Sequence, residues 1–223
     1  MTTKPDTRTL VILGGGGHAA VVAESARRAG WSLVAVFSGG AIDDPSPFGP
    51  AERLGDPLEP ASVARIEALV AGGASLHAAV GDPALRRRWH ARYAGLAAFA
   101  TIVDPGATVS PSATVAAGAF VGAGAIVQAR AAVGACAIVN TRAVVEHDCT
   151  LADYTHISPG AILCGAVRVD EDAQVGAGAV VIPSRTVGAR SVVGAGAVVT
   201  HDVAPGITAV GVPAHEIRHE IHH

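Results

Sequence analysis

Cysteine, aromatic side chains and long apolar runs are all scarce in this chain of 223 residues. Its three cysteines, Cys136, Cys149 and Cys164, are odd in number and form no CxxC pair, which argues against a disulfide framework. No apolar run reaches the roughly 18 residues that a membrane-spanning helix needs. The N-terminal segment MTTKPDTRTLVILGGGGHAA has too short an apolar stretch, and too little leading positive charge, for a signal peptide. With a formal charge of −3 and no Lys/Arg-rich run, the chain carries no electrostatic footprint for nucleic acid or an anionic membrane surface. A soluble, cytoplasmic protein with neither of those partners is expected. Aromatics make up only 4% while half of the residues are hydrophobic, so the apolar content is Ala and Val; with 27 glycines, this is the composition of a thin, tightly wound core.

What is abundant is a period of six. Stepping by six from Val103 meets Val109, Val115, Val121, Val127, Val133, Val139, Val145, Leu151, Ile157, Leu163, Val169, Val175, Val181, Val187, Val193 and Val199, aliphatic without a break. Two residues before each stands a position that is nearly always small, as at Ala107, Ala119, Ala131, Ala143, Cys149, Thr155 and Ala161. An α-helix repeats at 3.6 and a simple strand at 2, so a period of six fits short strands separated by corners. Three sides make a triangular coil of about 18 residues, and stacked coils make a parallel β-helix with the large aliphatic side chains inside. Cys149 occupies the small slot and is therefore expected to pack inward. Gly follows the aliphatic residue at Gly122, Gly134, Gly176, Gly188 and Gly194, where a sharp corner is expected to call for φ > 0.

Upstream of the register the pattern is α/β. Thr9 to Leu13 reads as a buried strand, Gly14 to Gly17 as a loop, Ala19 to Arg28 as a helix and Leu33 to Phe37 as a second strand, a βαβ opening. A helix over Ala61 to Val70, a strand near His77 to Val80 and a helix from Pro83 to about Leu96 complete a small Rossmann-like domain. The expected organisation is residues 1–100 for that domain, 101–203 for the solenoid and 204–223 for a C-terminal tail, whose HEIRHEIHH reads as a solvated amphipathic segment. The loop Gly14-Gly15-Gly16-Gly17-His18-Ala19, after a strand and before a helix, suits a diphosphate held by backbone N–H groups, or simply a tight turn. A dinucleotide site would want an acid at the end of the second strand. Here Phe37-Ser38-Gly39-Gly40 follows, with no acid before Asp43, which disfavours NAD and leaves a nucleotide diphosphate attached to a sugar.

A prism filled with Val has no room for a substrate, so chemistry belongs on its outer faces or between subunits. Polar residues interrupt the Ala/Gly/Val monotony in one stretch, from Asn140 through Glu146-His147-Asp148 to His156. His147 is two residues past Val145 and so projects outward, either as a solvated surface residue or as a base. A neighbouring carboxylate can orient an imidazole and support the imidazolium formed when it takes a proton.

The segments GGGGHAAVV, VGDPALRRR, VNTRAVVEHDCTLADYTHISPGAILCGAV and GVPAHEI, spread through nearly the whole chain, resemble the sugar-nucleotide N-acetyltransferases that modify 4-amino-4,6-dideoxy sugars, relatives of the sialic acid O-acetyltransferases. The resemblance implies a left-handed β-helix, a handedness the period itself does not give, and a homotrimer with acetyl-CoA in a groove between neighbouring solenoids. It implies His147 as catalytic base with Asp148 beside it, and Asn140 at the sugar site. His156 is implied near the thioester, the Gly165 N–H as donor to its carbonyl, and Gly176 and Gly178 at the CoA site. Gly14, Gly16, Gly17, His18 and Ser38 are implied as contacts of the nucleotide sugar, with UDP or GDP left open because relatives that use a UDP sugar often carry an acidic pair where this chain has Ser38-Gly39. No metal is implied. The rival readings are a sugar O-acetyltransferase, a nucleotide-sensing oligomeric scaffold, and a metal hydrolyase of the carbonic-anhydrase type, which the spacing of His147, His156 and His201 does not suit.

Overall fold

A computed structural model describes residues 8–42 and 44–217, so Asp43 and the end of the HEIRHEIHH segment lie outside the described residues. The chain divides into two compact units, the first ending at Pro105 and the second beginning at Gly106.

In the first unit, β1 (Thr9–Leu13) is almost wholly buried and pairs in parallel with β2 (Ser32–Phe37) on one side. The helix α1 (Gly17–Arg28) joins them; its Ala19, Val22, Ala23 and Ala26 recur at i, i+3, i+4 and i+7, all buried, and it ends before Gly30 at φ 84°. The chain then forms β3 (Glu52–Leu54), α2 (Pro60–Ala71), β4 (Ser75–Ala78) and α3 (Pro83–Tyr93). Sheet order is β3-β2-β1-β4, all parallel. β4 sits two residues earlier than the sequence suggested, and β3 was not expected at all. It is an edge strand of Glu, Arg and Leu, two of them exposed, so no apolar alternation betrays it.

His77 on β4 is buried with 1% exposure, its Nδ1 2.8 Å from the Ala100 carbonyl oxygen. Burial, assisted by the charge of Arg86 and opposed by the Ala100 contact, lowers its pKa to about 4. The fold therefore holds a neutral imidazole that the unfolded chain protonates below its ordinary value of 6.5. Stability is expected to fall as pH drops from 6.5 toward 4, by about 3 kcal/mol across the window, and to level off below it. Both tryptophans, Trp31 and Trp89, lie in this unit, so urea unfolding followed by their fluorescence reads it directly. The same slope with pH in His77→Gln would refute the assignment.

The second unit is a left-handed parallel β-helix. Two-residue strands recur every six residues, from β5 (Ile102–Val103), still in the first unit, through β6 (Thr108–Val109) to β21 (Val198–Val199), each ending on the aliphatic register position. Strands 18 residues apart stack in parallel, as β9 (Ile126–Val127), β12 (Val144–Val145) and β15 (Ile162–Leu163) do. Every register side chain from Val121 to Val199 is buried, and each such burial is worth roughly 1.5–3 kcal/mol against an exposed chain. Cys149 is buried as expected.

The corner glycines are corrected by the structure. Among the described residues none of Gly122, Gly134, Gly176, Gly188 and Gly194 has positive φ. The left-handed residue stands two positions further on, at Arg130, Cys136, Arg142, Asp148 and Tyr154 as well as at Gly118, Gly124, Gly160 and Gly178. Glycine after the register is instead required by the next coil: a Cβ at Gly134 would lie 2.6 Å from the Ala152 carbonyl carbon, and one at Gly176 would lie 2.6 Å from the Ala195 nitrogen. Residues after 203, expected as a tail, add β22 (Thr208–Val210) alongside β20 (Val192–Val193), and β23 (His215–Ile217) antiparallel to β22.

Candidate functional site

Two sites take shape, one in each unit. In the first, the C-terminal ends of the parallel strands open on a cleft of about 430 Å³, lined by Gly14 to Ala19, Ser38, Gly39, Asp56, Ala79 to Gly81, Leu85 and Trp89. All five nucleotide contacts expected here, Gly14, Gly16, Gly17, His18 and Ser38, come together in it. Gly14, at φ 126°, is pressed so close to Ala79 that a Cβ would strike its carbonyl, while Gly16 and Gly17 face open space. Helix α1 begins there with Gly16 as cap, no side-chain cap bond and no acid in its first turn, so the positive end of its dipole faces the cleft without a neutralising side chain, an arrangement that suits an anion. The opposite wall is fixed by Arg86, whose buried guanidinium donates to the carbonyls of Val80 (2.9 Å) and Gly81 (2.8 Å). The indole N–H of Trp89 is buried there, with no hydrogen-bond partner among the described residues.

In the solenoid, the stacking interval of 18 builds the second site. His147 stands at the corner between β12 and β13 (Thr150–Leu151), its side chain 57% exposed, two residues past the buried Val145. Its Nδ1 lies 2.8 Å from Asp148 Oδ2. One coil earlier, Arg130 donates to both oxygens of that carboxylate, Nε to Oδ1 at 2.7 Å and an Nη to Oδ2 at 2.9 Å. Arg130 and then His147 hold the Asp148 carboxyl well below the usual carboxylate range. An ionised carboxylate only accepts, so the proton between the two residues sits on His147 Nδ1 and the lone pair on Nε2 is left free. One coil later lies Gly165, beneath the ring: a Cβ there would stand 2.6 Å from His147 Cε1 and 2.7 Å from Nε2. Arg130 was missed in the sequence, although counting back 18 residues from Asp148 finds it.

The other expected residues lie at a different corner. Asn140 follows β11 (Ile138–Val139), and its Nδ2 is 3.2 Å from Nε2 of His156, which opens the neighbouring β14 (His156–Ile157). Gly176 and Gly178 follow β17 (Gln174–Val175), stacked on β14, at that same corner. The width of β12 thus separates Asn140, His156 and the two glycines from His147, Asp148 and Gly165. Cys149 donates its thiol to the Cys164 carbonyl at 3.2 Å, and burial first of all pushes its pKa up to about 11, which makes it a packing residue rather than a nucleophile. Among the described residues no three His, Cys, Asp or Glu side chains are grouped as a metal site needs, and no helix is long and apolar enough to cross a membrane.

A left-handed hexapeptide β-helix that displays an outward His–Asp pair defines a hexapeptide-repeat acyltransferase. Residues 9–93 match the PglD N-terminal domain family, and the chain as a whole is similar to perosamine N-acetyltransferase from Caulobacter crescentus, solved as a His-to-Asn mutant with CoA and GDP-perosamine, at 36% identity over 95% of this chain and 97% of that one, with a TM-score of 0.86. The chain belongs to the sugar-nucleotide N-acetyltransferase family of hexapeptide-repeat proteins. The acetyltransferase domain of PglB from Neisseria gonorrhoeae, solved with acetyl coenzyme A, is similar at 33% identity over 95% of this chain and 100% of that one, with a TM-score of 0.83. WeeI from Acinetobacter baumannii AYE shares the fold at 21% identity over 95% of this chain and 100% of that one, with a TM-score of 0.81. No curated protein matches the chain significantly.

Proposed function

We propose that this chain transfers the acetyl group of acetyl-CoA to the 4-amino group of a GDP-linked 4-amino-4,6-dideoxy sugar of the perosamine type, with His147 as general base. The observation that carries the reading is the His147–Asp148 pair with Nε2 free, in a chain more than a third identical, over 95% of its length, to an enzyme whose structure holds CoA and GDP-perosamine.

In the mechanism, a neutral sugar amine attacks the thioester carbonyl carbon while His147 Nε2 removes a proton from the nitrogen. The carbonyl oxygen takes the negative charge in the tetrahedral intermediate, and the Gly165 N–H, with no bond to another described residue, is the proposed donor to it. Collapse breaks the carbon–sulfur bond, the imidazolium returns its proton to sulfur, and the amide and free CoA leave. Asp148 supports the imidazolium without itself taking the proton. Direct transfer needs no acyl-cysteine, consistent with the inward Cys149.

The separation of the two solenoid corners supports a homotrimer. The face that lies between them, built of β6, β9, β12, β15, β18 (Val180–Val181) and β21, presents Ile126, Val144, Ile162, Val180 and Val198 outward, an apolar stripe suited to a second copy. Packing along it sets the Asn140–His156 corner of one copy toward His147 of its neighbour, with acetyl-CoA in the groove and Gly176 and Gly178 as its backbone contacts. We place the enzyme in the cytoplasm, free of membrane and nucleic acid, on the charge and composition of the sequence.

The test is acetyl transfer from acetyl-CoA to GDP-perosamine and to its 4-hydroxy counterpart, followed by CoA release. Acetylation of the amine supports the reading, and acetylation of the hydroxyl compound alone overturns it in favour of an O-acetyltransferase. The clamp on Asp148 adds a second prediction. Arg130→Ala is expected to lower kcat about tenfold, the scale of a lost charge-assisted hydrogen bond, with KM for acetyl-CoA unchanged and partial recovery in Arg130→Lys. A raised KM at constant kcat would show that Arg130 serves ligand binding instead.

A further inference from the structure

We infer that Asp56 is the residue that reads the nucleobase, and that its carboxylate selects guanine by accepting from the N1–H and the exocyclic N2 amine. This deepens the reading of the substrate as a GDP-linked sugar and rests on it.

The edge strand β3 sets the position of Asp56. Because β3 pairs in parallel with β2, the residues after the two strands emerge side by side at the same end of the sheet: Ser38-Gly39 after β2, and Gly55-Asp56 after β3. Both pairs border the cleft or its open margin, and Asp56 itself lines the cleft with the glycine loop that faces the diphosphate. Asp56 presses so closely on Gly39 that a Cβ there would stand 2.8 Å from its Oδ2. Glycine at 39 thereby admits the carboxylate at this position in the cleft wall.

The two oxygens of Asp56 differ in their engagement. Oδ1 accepts from the Leu58 N–H at 2.8 Å, which fixes the plane of the group, whereas Oδ2 accepts no hydrogen bond among the described residues. Asp44, which borders the glycine loop, is engaged locally: its two oxygens take the N–H and the hydroxyl of Ser46 at 2.9 and 3.0 Å. Asp56 is also braced from behind, since Tyr93, buried on α3, donates its hydroxyl to the adjacent Pro57 carbonyl. A fixed carboxylate with spare acceptor capacity fits an edge that presents adjacent donors. Guanine offers N1–H beside N2–H₂; uracil offers a single N3–H flanked by two carbonyl oxygens that a carboxylate repels.

Calorimetric titration of the full chain with GDP, IDP and UDP tests this without any variant, because inosine lacks only the exocyclic amine. GDP is expected to bind about tenfold more tightly than IDP, the scale of one charge-assisted hydrogen bond, and UDP more weakly than either. Asp56→Asn, which replaces one acceptor oxygen by an amide N–H₂ donor, is expected to erase the GDP preference while acetyl-CoA binding is kept. Equal binding of GDP and IDP by the unaltered chain, or a GDP preference that survives in Asp56→Asn, overturns the assignment to Asp56. A chain that binds UDP and not GDP overturns the GDP-sugar reading itself, and the two failures are thereby distinct.

Discussion

Replacing His147 by Gln is expected to lower kcat by about 10²–10⁴-fold, the usual contribution of a positioned general base, while the dissociation constant for acetyl-CoA stays within about twofold. The reason is chemical rather than steric. Asp148, ionised and clamped by Arg130, can only accept, so it fixes the proton on Nδ1 and leaves Nε2 as the single basic atom of the pair. Glutamine keeps a polar group at the corner but offers no basic nitrogen. The amine must then shed its proton to water, and the barrier rises. The imidazole is exposed and supports no core, so the fold is expected to be unchanged. Steady-state kinetics with GDP-perosamine and calorimetry with acetyl-CoA separate the two quantities. Unaltered turnover sinks the base assignment, and a chain with no turnover in any form, but with intact nucleotide binding, is an oligomeric scaffold instead.

The register from Val121 to Val199 was legible because a prism three strands around permits one kind of interior residue every sixth position, and the burial follows it. Place within the six-residue repeat, two past Val145 for His147 and two before Leu151 for Cys149, pointed the first outward and the second inward. The left-handed corner positions were not legible: Arg130 at φ 60° and Asp148 at φ 62° carry no mark of that conformation in their side chains, and the glycines that seemed to supply it serve instead to admit the next coil. β3 escaped because an exposed edge strand of three residues has no apolar alternation, and Asp56 escaped with it. Pairing between coils was available in principle, since the interval of 18 links Arg130 to Asp148 and His147 to Gly165. The residues that one chain leaves apart, His147 and the Asn140–His156 pair, come from strands on different faces, and no spacing within a single coil can join them.

The second large effect is expected from one methyl group. Gly165→Ala keeps the N–H proposed to face the thioester oxygen, and Gly165 does not have positive φ, so the backbone accepts alanine and the stability of the chain is expected to hold or to rise by about 0.4–1 kcal/mol. The new Cβ would nonetheless stand 2.6 Å from His147 Cε1 and 2.7 Å from Nε2, too close for any real contact. The imidazole must swing away, and with it either the 2.8 Å bond to Asp148 or the aim of Nε2 is lost. A catalytic group displaced by about 1 Å costs on the order of 10² in rate, so kcat is expected to fall about a hundredfold in a protein that unfolds at the same or a higher urea concentration. Since both substitutions act through the same imidazole, the double variant of His147→Gln with Gly165→Ala is expected to be no slower than His147→Gln alone. Full additivity of the two losses would mean that Gly165 contributes through something other than the ring above it. Full activity in Gly165→Ala would mean that the imidazole does not rest on Gly165 when it works.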